Sequence, residues 1–465
     1  MDRKKFSFDH FWVRIFTAAV LLIFLFIAGC GGETIIKNLF PNKTGPSTPN
    51  SDQMDTTVTP VPEGSVEDGQ LLAVQPTFTA AETEDFTVEK SELVVWVPEE
   101  FSIFNESEAA ELFKQRVEGF ERQYPGTVVV LRVKASSGSG GILDSLRNTK
   151  TAAANALPQI ALLSSADMKD AADQALLLPV EDFFHDNNPS TYFSYAHEIS
   201  ELSGTMYGFP FVGDALVGIA NNSFSDLGFT SWDEIRTKRI PLYFAANSPQ
   251  ATFIISQYLS TGGSLIDEQG HAAFNQDNLM TVLAAFDQNV RSKLFQESFS
   301  TLNTNEDAWT LLQNGEIKWE INWYSKAMQS DLGGLQIFQL PSLSSESYVS
   351  AKGWLWTIVN SDAEVDAIVP EFIAYFSDPQ FLAEYSQAAG YLPVLPASLA
   401  LYENTDTINQ LNNLLTAAHG LPSTDLILKV GPVLRDATLM VLTQNYSLDE
   451  MMESTQNQIE ALQTK

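Results

Sequence analysis

Residues 92–133 read ELVVWVPEEFSIFNESEAAELFKQRVEGFERQYPGTVVVLRV, and this stretch decides the fold. Leu93-Val94-Val95-Trp96-Val97 is a short apolar run rich in β-branched residues, the pattern of a strand buried on both faces. Phe113, Val117, Phe120 and Tyr124 follow at helical spacing and form one apolar face. Asn105, three residues before Glu108, has the spacing of a capping box, and Pro125-Gly126 ends the helix. Thr127 to Val133 is again a β-branched run. This alternation predicts an α/β fold on a largely parallel sheet.

Working toward the C-terminus, Ile142 to Ala156 reads as a helix and Gln159 to Leu163 as a third strand. The segment from Gly204 through Phe211 leads into an apolar strand, Ala215 to Asn221. Ser231-Trp232-Asp233-Glu234 opens a helix with Ser231 or Thr230 near its cap, and Trp232 reads as packing. Tyr243 to Ala246 is expected as a strand, and Ala251–Ser260 and Asp277–Val290 as helices around a Gly-Gly loop. From Ile408 onward the chain reads as mostly helical, and no internal repeat is evident.

Toward the N-terminus the texture is different. Residues 30–90 carry Pro41, Pro46, Pro49, Pro60, Pro62 and Pro76 among many Thr, Ser, Asp and Glu, without apolar periodicity. Such a stretch cannot offset the entropy of ordering and is expected to be a disordered tether, with an end-to-end distance of about 45 Å as a flexible coil. Residues 1–29 read as an export signal: Arg3, Lys4, Lys5 and Arg14 precede the apolar run Ile15 to Gly29. As a helix that run spans about 22 Å, short of the roughly 30 Å hydrocarbon core. Ile27-Ala28-Gly29-Cys30 resembles the bacterial lipobox, which implies cleavage before Cys30 and its lipidation, and so an extracytoplasmic protein held to the membrane through its N-terminal lipid.

Composition narrows the function. The formal net charge of -32 repels nucleic-acid phosphates and anionic headgroups, so neither nucleic-acid binding nor electrostatic membrane docking is expected. Removing the signal takes away four basic and two acidic residues, leaving the mature chain about two units more acidic. Cys30 is the sole cysteine, so no intramolecular disulfide can form. The five histidines show no HExxH spacing, Gly138-Ser139-Gly140-Gly141 fits no phosphate-loop or dinucleotide pattern, and no GxSxG elbow is present. Neither an enzyme, nor a metal site, nor a cofactor is expected.

The stretches FERQYPGTVVV, PQIALLSSAD, ALLLPVEDFF, GTMYGFPFVGDALVGIANNSF, TSWDEI, LLQNGEIKWEINWYS, FIAYFSDPQFLAEYSQAAGYLPV and GPVLRDATLMVL occur in this order behind the lipobox. Together they resemble the family 1 extracellular solute-binding proteins, the group of the maltose-binding protein. The resemblance implies a periplasmic-binding-protein-like fold over residues 91–455: two α/β lobes joined by strands that cross more than once, closing over a ligand in the cleft. Lobe 1 would comprise about 91–210 and 338–388, and lobe 2 about 211–337 and 389–455. It further implies a monomer that hands a small polar solute, a carbohydrate foremost, to the permease subunits of an ABC importer. The alternatives are the same fold binding an amino acid, polyamine, peptide or anion, or acting as a surface sensor or adhesin.

A sugar site needs aromatic platforms with carboxylates, amides and hydroxyls at the rim. Trp319, Ile321 and Trp323 alternate along one strand face with Glu320, Asn322 and Tyr324 on the other. Trp319 reads as core, while Trp323 and Tyr324 lie at the strand's end, where the resemblance places a sugar-stacking tryptophan. Gly353-Trp354-Leu355-Trp356 opens another strand; Trp354 and Trp356 share a face, and Trp354 is the expected cleft residue. Trp96 reads as core. Glu99 and Glu100 follow the first strand, where the resemblance implies polar ligand contacts. Ser136-Ser137-Gly138 and Ser164-Ser165 follow the second and third strands and either supply hydroxyls or cap helices. Asp214, Asn247, Gln250 and Tyr391 complete the candidate ligand set. The third-strand loop has Ser164-Ser165-Ala166-Asp167 where an aromatic platform is common in the family, which counts against an oligosaccharide.

The lipobox reading makes a direct prediction. Mass spectrometry of protein extracted from membranes is expected to find acylated Cys30 at the N-terminus; a mature chain that retains Met1 contradicts it.

Overall fold

The computed structural model describes residues 91–183, 191–221, 228–360 and 367–463. The signal, Cys30 and the tether therefore lie outside the described residues. Ten strands are described: β1 (Ser91–Pro98), β2 (Thr127–Lys134), β3 (Ile160–Ser164), β4 (Glu201–Leu202), β5 (Thr205–Met206), β6 (Gly208–Ala220), β7 (Trp319–Trp323), β8 (Gln336–Phe338), β9 (Val349–Ile358) and β10 (Ala418–Gly420). β4 and β5 form a small ribbon. The main sheet runs β2-β1-β3-β9-β6-β7, with β10 on β9 and β8 on β6. The expected parallel pairing holds for β2-β1-β3 and for β10 on β9, whereas β9 is antiparallel to β3 and β6, and β6 to β7 and β8. The sheet is therefore mixed rather than largely parallel.

β6 organises the molecule. All 13 of its residues are buried. Residues 208–215 pair with β9, and residues 216–220 pair with β7 and β8. Phe209, Phe211 and Val212 enter a first hydrophobic core, while Leu216 and Ala220 enter a second. In the first core, Phe211 packs on Trp356 at 5.1 Å and on Tyr385 at 5.0 Å. Helix Glu108–Gln123 adds Phe113, Val117 and Phe120 to that core, the face its spacing predicts. In the second core, Phe244, Phe253, Phe286 and Phe295 meet at centroid separations from 4.8 to 6.3 Å. Each buried phenylalanine contributes roughly 1.5–3 kcal/mol of transfer free energy.

Several local expectations shift. The cap of helix Glu108–Gln123 is Ser107, which accepts from the Ala110 N–H at 3.2 Å; Asn105 instead donates to the Glu99 carbonyl at 3.0 Å. The helix from Ile142 stops at Ala152 and gives way to a 3-10 turn. Tyr243–Ala246 is not a strand: only Tyr243 bridges β7, because neighbouring residues turn to bond Leu294 and Leu302. The anticipated second-lobe segment 389–455 divides. Leu392, Leu399, Leu411, Leu415 and Ala418 join the first core, where β10 pairs with β9, while Val430 through Ile459 join the second. Phe338 and Leu340, assigned above to lobe 1, also belong to the second core. Among the described residues no helix is long and apolar enough to cross a membrane.

Where the chain passes between cores, β6 and β9 approach through facing glycines, Gly213 opposite Gly353. Gly213 also exchanges two hydrogen bonds with Leu392, both 2.8 Å. A Cβ on Gly353 would lie 2.6 Å from the Val212 carbonyl oxygen, and one on Gly213 would collide with the Tyr195 hydroxyl. Tyr195 cannot retreat easily, since it is buried and donates to the Pro393 carbonyl at 3.0 Å. Gly213→Ala is therefore expected to cost about 1–3 kcal/mol through overpacking, read as a lower midpoint in denaturant unfolding. An unchanged midpoint would show slack at the crossing.

Candidate functional site

The register of the crossing strands places chemistry beside the glycines. Asp214 pairs with Lys352, Val212 with Trp354, and Leu216 with Trp323. Asp214 is buried, and its carboxylate accepts the Ala215 N–H (3.0 Å), the Ser325 N–H (3.0 Å) and the Ser325 hydroxyl (2.7 Å). Burial pushes its pKa up, while Lys352 and the bonds from Ser325 pull it down. The Lys352 ammonium lies 3.9 Å from Asp214 Oδ2 and 3.8 Å from the centre of the Trp323 ring, a cation–π arrangement. Lys352 occupies a recess: 40 % of its side chain meets solvent, yet the surrounding protein draws its pKa below the usual lysine range, with Asp214 and Glu100 opposing the shift.

Phe101 builds the other wall. It is a buried residue of the short 3-10 turn Glu99–Phe101 that follows β1. Its ring meets Trp354 edge-on at 5.2 Å and stacks on Tyr391 at 5.7 Å. The Tyr391 hydroxyl also bonds the side chains of Trp354 and Gln329, and burial raises its pKa. Anchoring Phe101 leaves Glu99 and Glu100 exposed immediately before it. The Glu100 carboxylate accepts from the Ser136 hydroxyl, and its charge reaches both Lys352 and Tyr391.

The crossing thus gathers Glu100, Asp214, Trp323, Trp354 and Tyr391 from the sequence-derived set. Trp354 is half-buried and Trp356 fully buried. Tyr324 is buried against the first core, starting helix Tyr324–Met328 rather than extending β7, and its hydroxyl pKa is raised by burial. Gln250 lines a cavity of about 290 Å³ with Phe244, Asn303, Asn305, Ile321 and Leu216, the last being the strand partner of Trp323. Asn247 donates to Asn303 at 2.8 Å on the same loops. The remaining serines hold the fold or face elsewhere. Ser164 caps helix Ser165–Asp173 by accepting from the Asp167 N–H at 3.1 Å, and the buried Ser165 hydroxyl accepts the Gly353 N–H at 3.3 Å. Ser137 lies on a separate cavity of about 600 Å³ with Asp144, Arg147 and Asp425. Among the described residues no cluster of carboxylates and histidines suited to a metal is present.

Sequence reasoning missed Lys352, Ser325 and Phe101. The available signal for Lys352 was a single cation in the otherwise uncharged strand β9.

Glu320 lies behind Trp323. It is completely buried; Oε1 accepts from Asn322 Nδ2 at 3.1 Å and Oε2 has no partner. Asn322 Oδ1 in turn accepts the Trp323 N–H at 2.8 Å. Burial pushes the Glu320 pKa up to about 8; the Asn322 bond and Lys326 oppose this, and Glu306 reinforces it.

The sequence profile of the bacterial extracellular solute-binding proteins matches residues 105–381. No curated protein matches the sequence. Solved structures share the fold. The cyclic α-maltosyl-1,6-maltose binding protein of Arthrobacter globiformis is similar with a TM-score of 0.65 and 19 % identity, over 80 % of this chain and 99 % of that one. The sugar-binding protein MalE of Xanthomonas citri gives 0.65 and 18 %, over 80 % and 98 %. The GacH receptor of Streptomyces glaucescens, solved unliganded and with acarbose, gives 0.59 and 18 %, over 81 % and 99 %.

A carboxyl whose pKa rises on folding is neutral in the native state where the unfolded chain already ionises, so stability falls as pH climbs from the ordinary carboxylate range to about 8. Glu320→Gln removes that penalty. The variant is expected to melt higher than the native protein at pH 8, by a margin that shrinks toward pH 5; a margin independent of pH contradicts the burial account.

Proposed function

Because this chain belongs to the bacterial extracellular solute-binding proteins, we propose that it captures a sugar between its two cores and delivers it to the permease subunits of an ABC importer. The carrying observation is the juxtaposition at the crossing: half-buried Trp323 and Trp354 beside Glu100, Lys352 and Tyr391. Aromatic faces take the C–H surface of a pyranose, and the polar groups pair with its rim hydroxyls. Of the proteins that share the fold, one binds a cyclic maltosyl-maltose, one is a sugar-binding protein and one was solved with acarbose, which supports this ligand class. No chemical step is assigned to the site. Acylated Cys30 and the tether at 31–90 would hold the domain at the outer face of the membrane as a monomer, within reach of its permease.

Strands β6 and β9 both contribute to the site and both cross between the cores, so a ligand touching Trp323 and Trp354 draws on both lobes. Closure around such a ligand stabilises the native state by mass action. Thermal-shift measurement on the mature protein is expected to show a higher melting temperature with one or more of maltotriose, mannotriose and tagatose, and none with amino acids. Trp323→Ala should weaken the sugar that binds by on the order of 1 kcal/mol or more while melting close to the native protein. A response to amino acids alone would overturn the sugar reading.

A further inference from the structure

Lys352 has a place in the site that the aromatic platforms do not explain. Its ammonium carries three N–H donors. One face of it rests on the Trp323 ring, and its nearest carboxylate oxygen, on Asp214, stands at 3.9 Å, beyond hydrogen-bond range. Asp214 already receives three hydrogen bonds from Ala215 and Ser325, so it balances the lysine's charge without taking up its donors. Among the described residues Lys352 Nζ makes no hydrogen bond. Holding a cation in a strand whose other residues are uncharged costs desolvation, and the cost is reduced only where the donors find acceptors.

Glu100 supplies the complementary group. It lies on the exposed turn before Phe101, close enough for its charge to act on Lys352, and it is an acceptor only. A donor and an acceptor on either side of an aromatic face match two neighbouring sugar hydroxyls, since each hydroxyl both donates and accepts. We infer that Lys352 and Glu100 form a two-sided clamp on a vicinal diol stacked at Trp323, and that the clamp restricts the cleft to uncharged polyols. Asp214, Glu100 and Lys352 sum to one negative charge, which disfavours a uronic acid, while the ammonium over the platform repels a polyamine. This inference rests on the sugar reading above and assigns the residues that set its specificity.

The test is calorimetric titration of the full mature chain with maltotriose, mannotriose, tagatose, trigalacturonate and spermidine, alongside Lys352→Met and Glu100→Gln. At least one neutral sugar is expected to bind the native protein, and each substitution to weaken that sugar tenfold or more, with trigalacturonate and spermidine inert. Lys352→Met leaves Asp214 without a counter-charge, so its melting curve is recorded on the same sample. Glu100→Gln, on an exposed turn, keeps the test open should the lysine variant unfold. A neutral sugar that binds either folded variant within twofold of the native affinity overturns the clamp, as does trigalacturonate binding more tightly than all three neutral sugars. If none of the neutral sugars binds the native protein, the sugar reading falls and the clamp falls with it.

Discussion

The pairing of Gly213 with Gly353 is the constraint on which the molecule depends. β6 and β9 must run side by side at the point where the chain leaves one core for the other, with Tyr195 and the Leu392 backbone pressed against them. Only residues without side chains allow that approach. Because it is made, one continuous strand serves two cores: Phe211 packs with Trp356 and Tyr385 on one side, and Leu216 with Ile321 and Phe244 on the other. Lobes tied by such short paired segments share a boundary lined by strand residues.

Strand register then determines the chemistry. One step from the glycines, Asp214 faces Lys352; on β9 the residue after Gly353 is Trp354; across β6 from Leu216 stands Trp323. The charges are tolerated because they are supported. Asp214 takes the Ser325 N–H and hydroxyl at the start of helix Tyr324–Met328, so the buried carboxylate also fastens that helix to the crossing. Lys352 is steadied by the Trp323 ring and by the neighbouring negative charge. The aromatic and polar groups are held from behind by Phe101, which wedges Trp354 and Tyr391 in place.

Much of this was legible in the sequence where a local pattern controls the outcome. The face Phe113, Val117, Phe120 marks its helix because periodicity and burial coincide, and the alternation Trp319, Ile321, Trp323 marks β7 and its buried face. Local patterns mislead where a nearby competitor satisfies the same rule: Ser107 caps the helix that Asn105 and Glu108 suggested, and Tyr243–Ala246 has strand composition but bonds to loops. The division of the C-terminal segment was hidden because Leu411 and Leu434, each an apolar position on a helix, look alike in sequence yet enter different cores; the division is set by β10 docking on β9. Lys352 was hidden for the same kind of reason. Its neighbours Asp214, Trp323 and Glu100 lie far away along the chain, and only strand register brings them together.

The central claim is that solute binds at this crossing, and a crystal structure grown with the tightest-binding neutral sugar tests it most directly. The account predicts sugar against Trp323 and Trp354, with hydroxyl oxygens within about 3.2 Å of Lys352 Nζ and a Glu100 oxygen. Sugar seated elsewhere, as in the cavity lined by Ser137, Asp144 and Asp425, with Lys352 still resting on Trp323, would contradict it.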